Sequence, residues 1–288
     1  MTHPEFEQVI INGIGLAKQY ANNILKTTKT NHMTDNKAYL QFLETKQKTH
    51  VESGFEPDFT EWGWLYPFQQ FCVKIALKKG RYALFENCGL GKTRQQLTWA
   101  NEVVNHTNKP VLILAPLAVV GQTIEESNTI GIKCVDYDNF DNSISIYITN
   151  YEQLDNIDCS IFSGIVLDES SILKNFEGAY RNLIIENFAN TPYKLCCTAT
   201  PSPNDPMELG NHSEFLNVMS RNEMLAMYFV HDGGDTAKWR LKGHCIKLYW
   251  QWVSSWAVML SLPSDIGFSD DGYNLPNLNK FERVIITP

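Results

Sequence analysis

The stretch "YALFENCGLGKTRQQLTWA", residues 82–100, sets an apolar run, a glycine-rich turn and an apparent helix end to end. Gly89 and Gly91 let a backbone turn approach a ligand closely and adopt dihedrals closed to other residues. Backbone N–H groups at a helix entrance attract anions. Lys92 then reaches the β- and γ-phosphates of a nucleotide, and the Thr93 hydroxyl meets Mg²⁺. The candidate cradle is Gly89, Leu90, Gly91, Lys92, Thr93 and Arg94. One feature is unusual: Glu86 stands six places before the lysine, where the common phosphate-loop pattern has glycine.

Outward from this loop the chain alternates short apolar runs with helical ones. "FQQFCVKIALKKG" (68–80) reads as a helix stopping at Gly80, "YALFEN" (82–87) as a strand and "TRQQLTWANEVVNHT" (93–107) as a helix. "VLILAPLAVV" (111–120), "ISIYITN" (144–150), "GIVLDE" (164–169) and "YKLCCTATP" (193–201) read as buried strands. Nearly continuous apolar strands separated by helices predict an α/β fold, a parallel sheet covered on both faces. Ligands of such sheets sit at the C-terminal strand ends, where Asp168 and Glu169 fall. Adjacent acids in a dry site repel unless a cation or proton offsets them. Mg²⁺ held by Thr93 and Asp168, with Glu169 polarising an attacking water, accounts for both. Lys92, Asp168 and Glu169 are therefore the candidate catalytic residues.

The totals exclude several classes. With 43% hydrophobic and 19% charged residues, the chain is globular rather than disordered. No apolar run is long enough for a membrane helix and no secretory signal is evident, so the expected location is the cytoplasm, a host's if the gene is phage-borne. Seven scattered cysteines contain no C-x-x-C pair, which supports neither a disulfide framework nor a thiolate zinc site. His231, His244 and Cys245 fit no compact metal motif. A net charge of −8 gives no support to nucleic-acid binding, though a local basic groove is compatible with it.

Three divisions are expected: an N-terminal helical appendage (1–58), an ATP-binding lobe (59–206) and a helical extension or insertion (207–288). In the first, Asp35 or Asn36 caps a helix with a Tyr39, Leu40 and Leu43 stripe. In the third, 207–231 reads as helix, 232–245 as loop and "LYWQWVSSWAVML" (248–260) as a tryptophan-rich helix. Trp252, Trp256 and Leu260 recur at helical spacing, which favours burial of one face over a stacking platform. Trp239 and Arg240, among other basic residues, are the better nucleic-acid candidates.

The order of motifs resembles the first RecA-like lobe of superfamily 2 helicases and translocases, above all the SNF2-like branch and phage-borne DEAD/DEAH-like relatives. "LYPFQQ" resembles the adenine-recognising segment, with Gln69 at the glutamine position, and "CGLGKT" resembles motif I. Glu86 falls where this branch commonly has an acid. "LAPLAVVGQT" and "ITNYEQL" look like motifs Ia and Ib, "LDESSILKN" like motif II and "TATPSPN" like motif III. The likeness spans residues 60–205 and implies a RecA-like P-loop sheet, ATP and Mg²⁺ as cofactors, and DNA as partner, with RNA left open. It also implies nucleic-acid contacts near motifs Ia, Ib and III, giving Thr123, Asn150, Tyr151 and Asn175 as candidates. Against this, Thr123 and Asn150 suit helix caps and Tyr151 suits packing. Ser171 departs from the family, standing where histidine is usual. The resemblance further implies a second lobe bearing arginine fingers, or a partner protein supplying it. No such lobe is legible after residue 205, so slow hydrolysis is expected of this chain by itself. The competing reading is a one-lobe nucleotide-binding adaptor. A kinase or GTPase is disfavoured, because "TATP" and "LDESSILKN" belong to neither.

Overall fold

The computed structural model describes residues 51–58, 61–141, 143–174, 178–232 and 235–273. The helix expected around Tyr39, Leu40 and Leu43, and the candidate Asn175, lie outside the described residues.

Nine strands are present in this part of the chain: β1 Arg81–Glu86, β2 Val111–Ala115, β3 Cys134–Asp136, β4 Ile146–Asn150, β5 Gly164–Asp168, β6 Tyr193–Thr198, β7 Phe229–Asp232, β8 Asp235–Leu241 and β9 Ala257–Leu260. Seven form one sheet, ordered β3-β4-β2-β5-β6-β1-β9, and every neighbouring pair is parallel. The helices are α1 Pro67–Lys79, α2 Lys92–Thr107, α3 Leu117–Thr129, α4 Ala179–Asn187, α5 Leu209–Phe215, α6 Arg221–Tyr228 and α7 Ile246–Ser254.

The continuous apolar strands are explained by two cores, one on each face. Leu112, Leu114, Ile165, Leu167 and Cys196 point into one, with residues of α4 to α7. Val111, Ile113, Val166, Leu195 and Cys197 point into the other, with residues of α1 to α3. Side chains alternate as any strand requires, but both sides are covered, so no polar half-period appears. "VLILAPLAVV" is not one strand. Pro116 ends β2, and Leu117 opens α3.

The region after Asp205 differs from expectation in two places. β7 and β8 pair antiparallel, with Val230 opposite Arg240 and His231 opposite Trp239, where helix was expected through residue 231 and loop over 232–245. The Gly-Gly at 233–234 between β-compatible runs was the available hairpin signal. The tryptophan-rich helix exists as α7, with Trp250 and Trp252 buried, but it ends at Ser254. The Ser254 and Ser255 hydroxyls donate to the Gln251 and Trp252 carbonyls, local bonds that compete with helix propagation. Trp252, Trp256 and Leu260 are all buried, as the spacing suggested, yet they sit on helix, turn and strand. β9 pairs with β1 from Ala83↔Ala257 to Glu86↔Leu260, and Asn87 N–H donates to the Leu260 carbonyl at 2.9 Å. β9 thus anchors the start of the glycine-rich loop.

At the opposite end of the sheet, Lys194 is fully buried and donates to the Phe215 carbonyl at 2.8 Å and Asn217 Oδ1 at 3.3 Å. Burial, aided by Arg81, lowers its amine from 10.5 to about 7. Between those values the folded chain has released a proton that the unfolded chain keeps. Stability must therefore rise with pH above 7, with a slope approaching about 1.4 kcal/mol per pH unit from this group. The unfolding free-energy difference between wild type and Lys194→Met should grow accordingly from pH 7 to 8.5. Loss of the two hydrogen bonds adds an offset that does not vary with pH. A pH-independent difference would show that the amine stays charged when folded.

Candidate functional site

The parallel topology brings the ends of β1, β5 and β6 to one edge, and three sequence-distant segments meet there. A cavity of about 370 Å³ is lined by Gly89, Gly91, Lys92 and Thr93 of the loop, Val119, Gln122 and Thr123 of α3, and Asp168 and Glu169 after β5.

The loop is braced from beneath. Gly91 has φ +76, and a Cβ there would lie 2.3 Å from Gln69 Nε2, so glycine is required on both counts. Gln69 is buried; its Nε2 donates to the Leu90 carbonyl at 2.8 Å, and its Oε1 accepts from Tyr66 N–H at 2.9 Å. Both ends of its amide are thus committed to the loop and the start of α1. Leu90 itself is buried in the core. Lys92 Nζ donates to the carbonyls of Glu86 at 2.8 Å and Asn87 at 3.0 Å. Arg94 pairs with Glu126 of α3 and donates to the Trp64 carbonyl, so it ties α2 to its neighbours.

Glu86 answers the question its position raised. It is the fully buried last residue of β1, with Oε2 accepting from Gln95 Nε2 at 2.7 Å and the carboxyl beside the Cys72 thiol. Burial raises it to about 7, against the pull of Gln95 and Lys92. It belongs to the foundation of the loop and does not line the cavity.

Across the cavity, Asp168 Oδ1 accepts from Gln96 Nε2 at 2.7 Å. Burial above all, with the neighbouring Glu169 charge, raises its carboxyl above the ordinary range, against the Gln96 bond and Lys92. Glu169 has φ +53, and its Oε2 accepts from Thr198 Oγ1 at 3.1 Å. Thr198 Oγ1 in turn accepts from Thr200 N–H at 3.1 Å. The strand-end segment "TATP" is therefore joined directly to Glu169.

Lys92, Thr93, Asp168 and Glu169 share one cavity. The nucleic-acid candidates are scattered. Thr123 is buried in the cavity wall and donates to the Val119 carbonyl at 3.0 Å, while Tyr151 is buried and donates to the Asp168 carbonyl at 2.7 Å. Both hydroxyls are thus engaged by backbone carbonyls. Asn150 is half-buried at the end of β4, its Oδ1 without a hydrogen-bond partner. Trp239 is half-buried and lies against His231, with ring centroids 3.7 Å apart, and Arg240 is exposed on the same strand. Gln95 and Gln96 were not singled out by the sequence, and Thr198 entered only as the first residue of "TATPSPN". The two glutamines fall in an unbroken buried run of α2, from Gln95 to Ala100, and polar residues there need partners. His212, which contacts the residue after Glu169, carries no local signal at all.

The donor set fits a nucleotide with a divalent cation. One ammonium, the Thr93 hydroxyl and a glycine-rich helix entrance face two carboxylates across a space of the right order. Among the described residues no group of three or more His, Cys, Asp or Glu could hold a metal ion unaided. Mg²⁺ suits such a site because it is held by one or two protein oxygens together with substrate phosphates. Among the described residues no helix is long and apolar enough to cross a membrane.

Comparison with known proteins agrees with this geometry. No curated protein sequence is matched. Among solved structures, the chain is similar to the SWI2/SNF2 ATPase core of Sulfolobus solfataricus in complex with dsDNA, at 19% identity and a TM-score of 0.59 over 72% of this chain and 46% of that one. It is likewise similar to the SWI2/SNF2 ATPase core domain of the same organism, at 19% identity and a TM-score of 0.54 over 80% of this chain and 47% of that one. The chain thus spans about half the length of these structures, and at such identity the likeness is one of fold. The family model of the SNF2-related domain matches residues 68–225, more than half of the chain. On that match, which runs from the helix bearing Gln69 through both cavity motifs, the chain belongs to the SNF2-related domain family.

Proposed function

We propose that this chain is the ATP-binding core of a DNA-dependent ATPase of the helicase or translocase type. The convergence of Lys92, Thr93, Asp168 and Glu169 on one cavity carries the reading. Lys92 and the loop N–H groups would hold the β- and γ-phosphates, and Thr93 and Asp168 would hold Mg²⁺, which when bound would supply charge neutralisation at the phosphates. Gln69 keeps Leu90 and Gly91 in place rather than spending its amide on a base. Glu169 orients and deprotonates the attacking water, with Thr198 fixing its carboxylate. We assign the ATP-binding unit to the whole parallel sheet, from α1 through β9, because β9 supports the loop.

DNA is the proposed partner, supported by the likeness in fold to a core solved with dsDNA. At a net charge of −8, contact must be local. Asn150, Trp239 and Arg240 are the proposed contributors, with Asn175 outside the described residues.

The test is phosphate release and ATP affinity of the 288-residue chain, with and without Mg²⁺ and with duplex or single-stranded DNA. ATP should bind more tightly with Mg²⁺ than without it, and DNA should accelerate release. DNA affinity should fall at least about tenfold between 50 and 200 mM salt, as phosphate contacts release counterions. Mg²⁺-dependent ATP binding without any DNA effect would remove the DNA part and leave the adaptor reading. Failure to bind ATP would sink both.

A further inference from the structure

His212 sits on α5, 42 residues after Ser170, and its ring is fully buried. Its Nε2 is 3.2 Å from Ser170 Oγ, and the ring meets Phe85 edge-on at 5.1 Å. The preceding residue, Asn211, is also buried and donates to the carbonyls of Leu173 at 2.8 Å and Lys174 at 3.1 Å. Two successive residues of α5 therefore grip both ends of the 3-10 turn Ser170–Lys174, which starts immediately after Glu169.

Glu169 is where a grip is needed. Among the described residues, Asn108, Glu169 and Asn217 have positive φ without being glycine. Asparagine tolerates the left-handed region through its short polar side chain; glutamate has no such allowance. Such a conformation persists when its surroundings over-determine it, and it is typical of functional sites. Ser171, the position where the related motif carries histidine, is partly exposed, and among the described residues its hydroxyl reaches only the Glu169 carbonyl at 3.5 Å. The buried contact falls instead on Ser170, whose side chain is buried and also lies beside the Cys196 thiol on β6.

We propose that His212, acting through Ser170, is a positioning residue that holds Glu169 in its left-handed conformation and so aims its carboxylate at Thr198 and the cavity. The catalytic consequence rests on the reading of Glu169 as the water-activating group; the mechanical claim does not.

The test compares thermal midpoints of Glu169→Ala and Glu169→Gly in the wild-type background and with His212→Phe. Phenylalanine keeps the ring against Phe85 and removes Nε2. At a left-handed position glycine relieves strain that alanine retains, so the glycine variant should melt several degrees higher with His212 present. With the grip released, the turn relaxes, and the difference should vanish or reverse, because glycine also enlarges the unfolded ensemble. Ser170→Ala cuts the same bond with little change in volume and should act like His212→Phe. An unchanged glycine-minus-alanine difference in both backgrounds overturns the proposal. In single-turnover assays, His212→Phe and Ser170→Ala should each lower the rate at least tenfold with ATP affinity within twofold. Combining them should cost no more than the worse single change, and His212→Gln should recover part of the loss. A lowered midpoint with an unchanged rate would make His212 merely structural. The melting comparison contains no nucleotide. If it succeeds while the wild type shows no turnover, the grip stands and the functional reading falls.

Discussion

Lys92→Ala is expected to lower the affinity for ATP–Mg²⁺ by about 100-fold or more, measured by calorimetric titration. In the ligand-free fold Lys92 Nζ is held by the carbonyls of Glu86 and Asn87, neutral partners that a more highly charged acceptor outcompetes. Alanine leaves only the loop N–H groups and the cation assigned to Thr93 and Asp168 to attract the β- and γ-oxygens. The fold should survive, because the loop is braced by bonds that do not involve the lysine: Gln69 to Leu90, and Asn87 to Leu260. A thermal midpoint within a few degrees of wild type would confirm that the loss is local. Thr93→Ala serves as the contrasting variant. Its effect should appear only when Mg²⁺ is present, since the hydroxyl is assigned to the cation. A Lys92→Ala variant that keeps ATP affinity within tenfold would mean that the cavity binds something other than a triphosphate.

Which residues line this cavity was largely legible in the sequence, and the reason is local. Gly89 to Thr93 carry their meaning in adjacent residues, and Asp168-Glu169 at the end of an apolar run announce a strand terminus. Sheet architecture was legible for a similar reason: strands buried on both faces lose the polar alternation and read as plain apolar runs. What escaped depends on contacts between distant segments. Gln96 meets Asp168 across 72 residues and His212 meets Ser170 across 42, distances over which no spacing rule operates. The tryptophan-rich segment shows a different failure. Helical spacing of Trp252, Trp256 and Leu260 identified buried residues correctly, but a helix, a turn and a strand delivered them to the two cores. Polar residue type was also a poor guide to accessibility. Thr123 and Tyr151 have hydroxyls suited to phosphate contacts, and both spend them on buried carbonyls.

Glu169→Gln should leave ATP–Mg²⁺ bound and reduce its hydrolysis by about 10²–10⁴-fold, read as labelled phosphate release in single-turnover conditions. Glutamine has the same shape and keeps an oxygen that can accept from Thr198 Oγ1, so the local geometry survives while the proton acceptor is lost. Electrostatics give the prediction a second handle. The Glu169 charge is one of the influences that raise Asp168, and its removal lets Asp168 ionise at lower pH. Mg²⁺-dependent ATP binding should therefore persist to lower pH in Glu169→Gln than in wild type, with affinity near neutrality equal or slightly tighter. The two effects run in opposite directions, with binding retained or improved and turnover lost, and a general destabilisation cannot produce that pattern. If affinity and rate fell together, Glu169 would be a support for the Asp168 strand end and the attacking water would need another base. If the rate did not change, the carboxylate held by Thr198 would have no part in the reaction, and the assignment of this cavity as a hydrolytic site would fail.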